Sequence, residues 1–366
     1  MQKQFHRGLV WFRRDLRCHD NAALSTALQH CAQVHCVFVL DSRILDPLPR
    51  ADRRVEFIRE ALVELDETLR QLGQQPGAGL IVLHGEASHE IPLLAKSLDV
   101  QAVFAAHDYE PLAVARDSEV AEQLKTMKIA LRTCKDHVIF ERREVLTQTG
   151  KPYGVFTPYA RAWRSKLGKA PFEAYPVATI AQALATRPAR YARDVPELRA
   201  FGFEKTNLGQ LKIPTGESGA KALLADFLDR MDSYDETRNF PAVKGPSYLS
   251  VHLRFGTVSI RQLVSLALQR QQAGSTGAST WLGELIWRDF YFQILANFPH
   301  VVGQAYKPEY DQIAWEEGDQ AHERFSAWCE GRTGYPLVDA AVLQLNQTGY
   351  MHNRLRMVAG SFLVKD

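Results

Sequence analysis

The first third of the chain alternates short apolar runs with helical periodicity, and this alternation restricts the fold more than any other feature. Gly8-Leu9-Val10-Trp11-Phe12, His35-Cys36-Val37-Phe38-Val39-Leu40, Leu80-Ile81-Val82-Leu83 and Ala102-Val103-Phe104-Ala105 read as strands buried on both faces. Between the second and third runs, Val55, Ile58, Leu62, Leu65, Leu69 and Leu72 recur at spacings of three and four, an apolar stripe along one helix face. Strands alternating with helices predict a doubly wound α/β domain with a parallel sheet over residues 1–135. No Gly-x-Gly-x-x-Gly follows the first run, so that dinucleotide fingerprint is absent there.

The pattern then changes. Pro171, Pro176, Pro188, Pro196 and Pro214 interrupt residues 165–218, and the stretch 136–218 reads as an interdomain connection. From Gly219 onward helical patterns dominate. Leu223, Leu224, Phe227, Leu228 and Met231 begin one helix, and Ser259 can cap another that carries Ile260, Leu263, Leu266 and Ala267. Ser279 or Thr280 can cap a third that runs to about Asn297. Pro336 to Gln347 makes a fourth, with Gly349 placed to end it, and residues 350–365 a fifth whose core face is Leu355, Val358, Phe362 and Leu363. Residues 219–366 are therefore expected to be an all-α second domain, and two domains fit a chain of 366 residues.

Several classes are disfavoured. No stretch approaches the ~18–20 apolar residues of a membrane span. The N-terminus is polar, unlike a secretory signal. Five cysteines, odd in number and without metal-type spacing, predict a reduced cytoplasmic protein. Residues 221–366 hold 14 Lys and Arg against 16 Asp and Glu, a net of −2, so a nucleic-acid surface there would have to be a local patch.

Chemistry-bearing residues concentrate in the second domain. The helix through residues 280–297 is apolar nearly all round yet carries Glu284, Arg288 and Asp289. Glu284 shares a face with Trp287, three residues on, and with Arg288, four residues on. A core-closing Glu284–Arg288 pair and a cavity-lining role compete evenly on pattern alone. In Asn353-Arg354-Leu355-Arg356, the residues Asn353 and Arg356 share a face, and the arginines read equally as a solvated surface. His352 reads as a structural histidine. Gly245-Pro246-Ser247-Tyr248-Leu249-Ser250 is a turn followed by hydroxyls at a helix start, a weak phosphate cradle on its own. Trp315 and Trp328 read as packing residues at a domain edge.

Taken together, these segments resemble the DNA photolyase/cryptochrome family. Val10-Trp11-Phe12-Arg13-Arg14-Asp15-Leu16-Arg17 with His19-Asp20-Asn21 is similar to the family's opening strand and turn. Glu284 to Tyr291, Thr333-Gly334-Tyr335-Pro336-Leu337-Val338-Asp339-Ala340-Ala341 and Thr348-Gly349-Tyr350-Met351-His352-Asn353-Arg354-Leu355-Arg356-Met357 resemble its helical-domain motifs. The likeness extends from Leu9 to Asp366 and is nearest to bacterial class I cyclobutane pyrimidine dimer photolyases.

The resemblance implies FAD in the helical domain and light-driven electron transfer to a pyrimidine dimer flipped out of damaged DNA. It implies FAD contacts from Tyr234, Pro246, Ser247, Tyr248, Leu249 and Ser250. DNA contacts would come from Arg238, Glu284, Trp287, Arg288, Tyr291, Asn353 and Arg354. Glu284, Trp287 and Asn353 would line the dimer pocket, and Trp315 would be the surface end of an electron relay. A second, antenna chromophore, methenyltetrahydrofolate or a deazaflavin, would touch Glu110. The protein would act as a monomer without an obligate protein partner.

Three departures stand out. Pro246 replaces a frequent threonine, and Tyr350 replaces a frequent tryptophan. Family members also continue past the motif at Leu363-Val364-Lys365-Asp366, so the chain is expected to be C-terminally truncated. Two other functions stay open: a cryptochrome-type light sensor without repair, and a non-catalytic fragment unable to hold FAD.

Overall fold

The computed structural model describes residues 3–168 and 173–365. Five parallel strands form one sheet: β1 (Phe5–Phe12), β2 (Cys31–Asp41), β3 (Leu80–Gly85), β4 (Ala102–Ala106) and β5 (Ala130–Cys134), in the order β3-β2-β1-β4-β5. Val10 pairs with Cys36 on one side and Phe104 on the other, so β1 lies at the centre. Its side chains alternate as period two requires. Val10 and Phe12 enter one apolar cluster with Cys36, Phe38, Leu80 and Phe104, while Leu9 and Trp11 enter another with Val37, Val39, Ile81 and Val103.

Helices α1 (Ala22–His30), α2 (Ser42–Leu45), α3 (Arg53–Leu72), α4 (Ala87–Ser97) and α5 (Pro111–Thr126) complete the α/β layer. The predicted stripe lies on α3, where Val55, Leu62, Leu65 and Leu69 are buried. Strand β5 lies outside the four expected runs. In Ala130-Leu131-Arg132-Thr133-Cys134 the polar Arg132 and Thr133 are exposed, as befits an edge strand, so no continuous apolar run marks it.

Residues 136–218 divide between two cores. Helix α6 (Phe156–Leu167) places Tyr159 and Trp163 in the helical core with Ile139 and Val145. The later stretch, mainly short 3₁₀ turns, packs Val177, Leu184, Leu198, Phe201 and Phe203 onto the sheet core. Apart from the undescribed residues 169–172, this stretch of the expected connection is therefore layered onto the folded units it joins.

The second domain consists of α7 (Gly216–Leu228), α8 (Tyr234–Thr237), α9 (Ser250–Phe255), α10 (Ile260–Gln272), α11 (Thr276–Asn297), α12 (Asp319–Glu330), α13 (Pro336–Thr348) and α14 (Asn353–Lys365). Ser259 caps α10 by accepting from the Arg261 and Gln262 N–H groups. Gly349 ends α13 in the left-handed conformation at φ 74°. Asp339 accepts from the Thr333 N–H at 2.7 Å and the Gly334 N–H at 3.0 Å, fixing the turn into α13. The cap of α11 is Ser275, not Ser279 or Thr280, because its side chain accepts from the Ala278 N–H at 3.1 Å. On α14 the core face is Leu355 and Ala359, packed with Met351, Ala341 and Val342. Val358 and Leu363, expected on that face, are exposed.

The two domains are joined by buried charge. Arg17 and Arg261 both bond Asp136 at 2.9 Å, and Arg261 also pairs with Asp20 at 3.1 Å. Each of these four side chains is less than a tenth exposed, so each needs the others: a buried charge without a partner is costly. The Leu16 N–H donates to the Phe255 carbonyl at 3.1 Å, tying the turn after β1 to the end of α9.

Candidate flavin and base-stacking site

Helix α11 is the platform. Its apolar circumference buries it, and its three central charges then diverge. Asp289 is fully buried and accepts from the Trp163 indole N–H at 2.9 Å and from the Ile139 and Phe140 backbone N–H groups at 3.1 Å. Burial pushes this carboxyl up to about 6, against the pull of those donors and of Arg288. Gln293 and Asn297, on the following turns, donate to the Tyr153 and Arg142 carbonyls at 2.8 and 2.9 Å. Residues 139–163 are thereby fastened along the helix.

Arg288 does not form the Glu284 pair. Its guanidinium donates to the His137 carbonyl and, at 3.3 Å, to the Leu253 carbonyl, and lies 4.6 Å from the Phe292 ring centre. Burial lowers its pKa to about 10. The geometry of a long buried helix turns this arginine toward the domain joint.

Glu284 finds a different cation. It accepts from Arg238 at 2.7 Å, a residue on another segment, and Arg238 lies 5.3 Å from the Tyr234 ring centre. The Tyr234 hydroxyl is pushed up to about 12, by burial first and then by Glu284. Arg354 donates to the Asn239 carboxamide oxygen at 3.0 and 2.7 Å, one residue beyond Arg238. Asn353, the first residue of α14, is exposed. His352 is buried; its Nδ1 accepts from the Arg354 N–H at 3.2 Å, while Nε2 has no protein partner. Burial lowers its pKa, with Arg354 and Arg238 acting in the same direction.

On the same face of α11 as Glu284, Trp287 is half-buried in aromatic rings. Phe156 lies 3.5 Å from its ring centre at 6°, and Tyr291 lies 5.6 Å away at 23°. Tyr291 is 62% exposed.

The turn at 245–250 is tightly shaped. A side chain at Gly245 would come within 2.7 Å of the Thr237 carbonyl oxygen, so the two backbones can approach only at glycine. Tyr248 adopts φ 56°, unusual for a bulky residue, with its ring 5.2 Å from that of Tyr350. The Pro246 carbonyl accepts from Arg230 at 3.0 Å, and Leu249 is buried. Ser250 is exposed at the start of α9, and the Ser247 hydroxyl has only a long contact, 3.5 Å, with the Leu249 N–H.

A family model for DNA photolyase matches residues 8–177, and one for the FAD binding domain of DNA photolyase matches residues 281–366. The deoxyribodipyrimidine photo-lyase of Synechococcus sp. is 36% identical over 98% of this chain and 74% of that protein. The deoxyribodipyrimidine photo-lyase of Escherichia coli K12 is 33% identical over the same shares of the two chains. The chain belongs to the DNA photolyase family.

Among solved structures, a bacterial class III photolyase from Agrobacterium tumefaciens superposes with a TM-score of 0.84 at 28% identity, covering 100% of this chain and 74% of that one. A cryptochrome of Synechocystis sp. gives 0.84 at 25% identity, covering 100% and 76%. This photolyase-family chain thus carries its matched FAD-binding segment on α11 to α14.

The residues suit a flavin dinucleotide. The two serine hydroxyls beside the strained Tyr248 are nearly free of protein partners and can donate to phosphate oxygens. The unpartnered His352 Nε2 adds a polar atom near Arg354 and Arg238. Two expected residues lie outside this constellation. Trp315 is 56% exposed, in a segment of exposed residues before α12. Glu110 pairs with Arg14 at 3.0 Å and with Arg254, and so serves the domain joint. Phe156, Trp163 and Asn239 were not singled out in the sequence. Their partners lie more than 100 positions away, and no local pattern marks them.

Proposed function

We propose that this protein repairs cyclobutane pyrimidine dimers in DNA with light, as a deoxyribodipyrimidine photo-lyase. The observation that carries the reading is the pairing of Glu284 and Trp287 on one face of α11, with Arg238 and Arg354 beside them.

Extruding a nucleotide costs a few kcal/mol, least at a damaged, poorly stacked site. Stacking on an aromatic ring returns ~1–3 kcal/mol per base. Trp287 can therefore offset extrusion of a lesion more readily than of an intact pair, which makes it a selectivity element. Glu284 presents a carboxylate to the pyrimidine N–H edge, and Asn353 offers both a donor and an acceptor. Arg238 holds Glu284 in place, and Arg354 is braced by Asn239. Ser247, Tyr248, Leu249 and Ser250, shaped by Gly245 and Pro246, would hold the flavin's phosphates, with Tyr234 close by. When bound, reduced FAD would supply the light-driven electron-transfer chemistry. No general base or nucleophile is required of the chain.

An antenna chromophore, methenyltetrahydrofolate or a deazaflavin, belongs to this reading. An archaeal photolyase from Sulfolobus tokodaii, 30% identical with a TM-score of 0.78 over 98% of this chain and 75% of that one, holds two FAD molecules, with the implication of a novel light-harvesting cofactor. The five cysteines are unpaired and three of them buried, which favours a reducing cytoplasmic setting. No described helix is long and apolar enough to cross a membrane. We infer a monomer.

The test is loss of thymine dimers from an ultraviolet-treated oligonucleotide by the flavin-loaded protein. Repair under blue or near-ultraviolet light and none in darkness is expected. Equal loss in darkness, or none under light while dimer DNA is bound, would reject the reading, and the second result would favour a cryptochrome-type sensor.

A further inference from the structure

We propose that Phe156 is a positioning residue for the base-stacking site: an anchored ring that backs Trp287, so that a flipped base is received on the side bordered by Tyr291. This rests on the reading of Trp287 as the stacking platform.

Phe290 meets the Trp287 ring edge-on at 5.7 Å and 82°, and the two rings that stack on it are unlike. Phe156 covers one face at 3.5 Å and 6°, close to a face-to-face sandwich. Aromatic pairs left to themselves prefer offset or edge-on arrangements, so the surroundings must impose this one. Phe156 lies on the first turn of α6, and its ring also meets the Phe290 ring at 5.8 Å and 77°. Two turns on, Trp163 of the same helix is fully buried and bonded to the buried Asp289 of α11. Between them the buried Tyr159 packs its ring 5.2 Å from that of Phe290. Moving Phe156 off Trp287 would require α6 to shift against these contacts.

Tyr291 differs. It stands one helical turn beyond Trp287 on α11, and the residue is 62% exposed. Rotating it into solvent disturbs no buried hydrogen bond, so a base can take its side of Trp287 at low cost. Phe156 comes from residues that read in sequence as a connection, which is why its part in the pocket is invisible there.

The experiment measures dark binding of the flavin-loaded protein to one oligonucleotide duplex, with and without a thymine dimer, by fluorescence anisotropy. Phe156→Leu keeps apolar bulk but removes the flat ring. It is expected to weaken dimer binding roughly three- to tenfold, the worth of an aromatic pair, with intact-duplex affinity unchanged. Phe156→Tyr is expected to match the parent on both. Unchanged dimer affinity in Phe156→Leu, an equal loss on both duplexes, or lost selectivity in Phe156→Tyr would each overturn the proposal. Trp287→Ala is run beside them. If it alone loses dimer selectivity, Phe156 is not the positioning residue while the platform stands. If Trp287→Ala retains full selectivity, the platform itself fails and the proposal with it.

Discussion

Trp163 and Asp289, 126 residues apart, meet through an indole N–H donated to a fully buried carboxylate at 2.9 Å. The same carboxylate accepts the Ile139 and Phe140 backbone N–H groups. One acidic side chain thus fixes the helix that carries Glu284 and Trp287 against the segment that carries Phe156.

Trp163→Phe should lower stability by about 1–3 kcal/mol or more, because it leaves a buried acceptor short of a donor and removes part of a fully buried ring system. Urea denaturation of the two proteins checks this. A midpoint within error of the parent would show that the bond contributes nothing net.

The buried Asp289 and Asp15 carboxyls are both raised from 3.8 to about 6, with burial the first cause in each. A carboxyl whose folded pKa lies above its unfolded value contributes stability that is complete below about 4 and is lost as pH rises through about 6. Asp289→Asn removes one such titration. Its cost relative to the parent should therefore be larger at pH 5 than at pH 7, by on the order of 1 kcal/mol. Parallel stability profiles for parent and variant over that range would contradict the assignment.

Arg238 and Glu284 are bonded at 2.7 Å and only partly exposed, at 16% and 31%. A double-mutant cycle with Arg238→Ala and Glu284→Gln should give a coupling of about 0.5–1 kcal/mol in stability. Dimer binding should fall in both single variants, because each disturbs the carboxylate proposed to face the base. Additive stability effects would mean that the pair is incidental.

Gly256 ends α9 at φ 67°, and a side chain there would overlap the Arg14 carbonyl at the domain joint. Gly256→Ala combines a left-handed backbone with an overlap between two main chains, neither of which has a flexible end to yield. It should cost at least about 2 kcal/mol and lower the thermal midpoint by several degrees, as scanning calorimetry would register. Gly283, with open space around its Cβ position, is the control, and Gly283→Ala should be neutral or slightly stabilising. Equal midpoints for the two variants would discredit the argument.

Much of the architecture is legible in the chain itself. The apolar runs and the α3 stripe specify strands and helices because period two and period 3.6 are backbone properties. The Ser259 cap and the Gly349 stop are equally local, since each acts within one turn of its own helix. The family motifs mark α11, α13 and the start of α14 as site-bearing.

What a charge or a ring touches was decided by tertiary structure. Glu284 has Arg288 four residues away, yet it pairs with Arg238, 46 residues away, because α11 is buried and turns Arg288 toward the His137 carbonyl. The strand β5 has no apolar signature because the exposed Arg132 and Thr133 interrupt it, and Phe156 has none because its partner lies 131 positions along the chain. Periodicity reports how a segment sits on its own axis; it carries no information about which distant segment will cover it. The sequence by itself determined the helix that presents Glu284 and Trp287. The packing of α6 and α8 around α11 decided which face of that helix can act as a site.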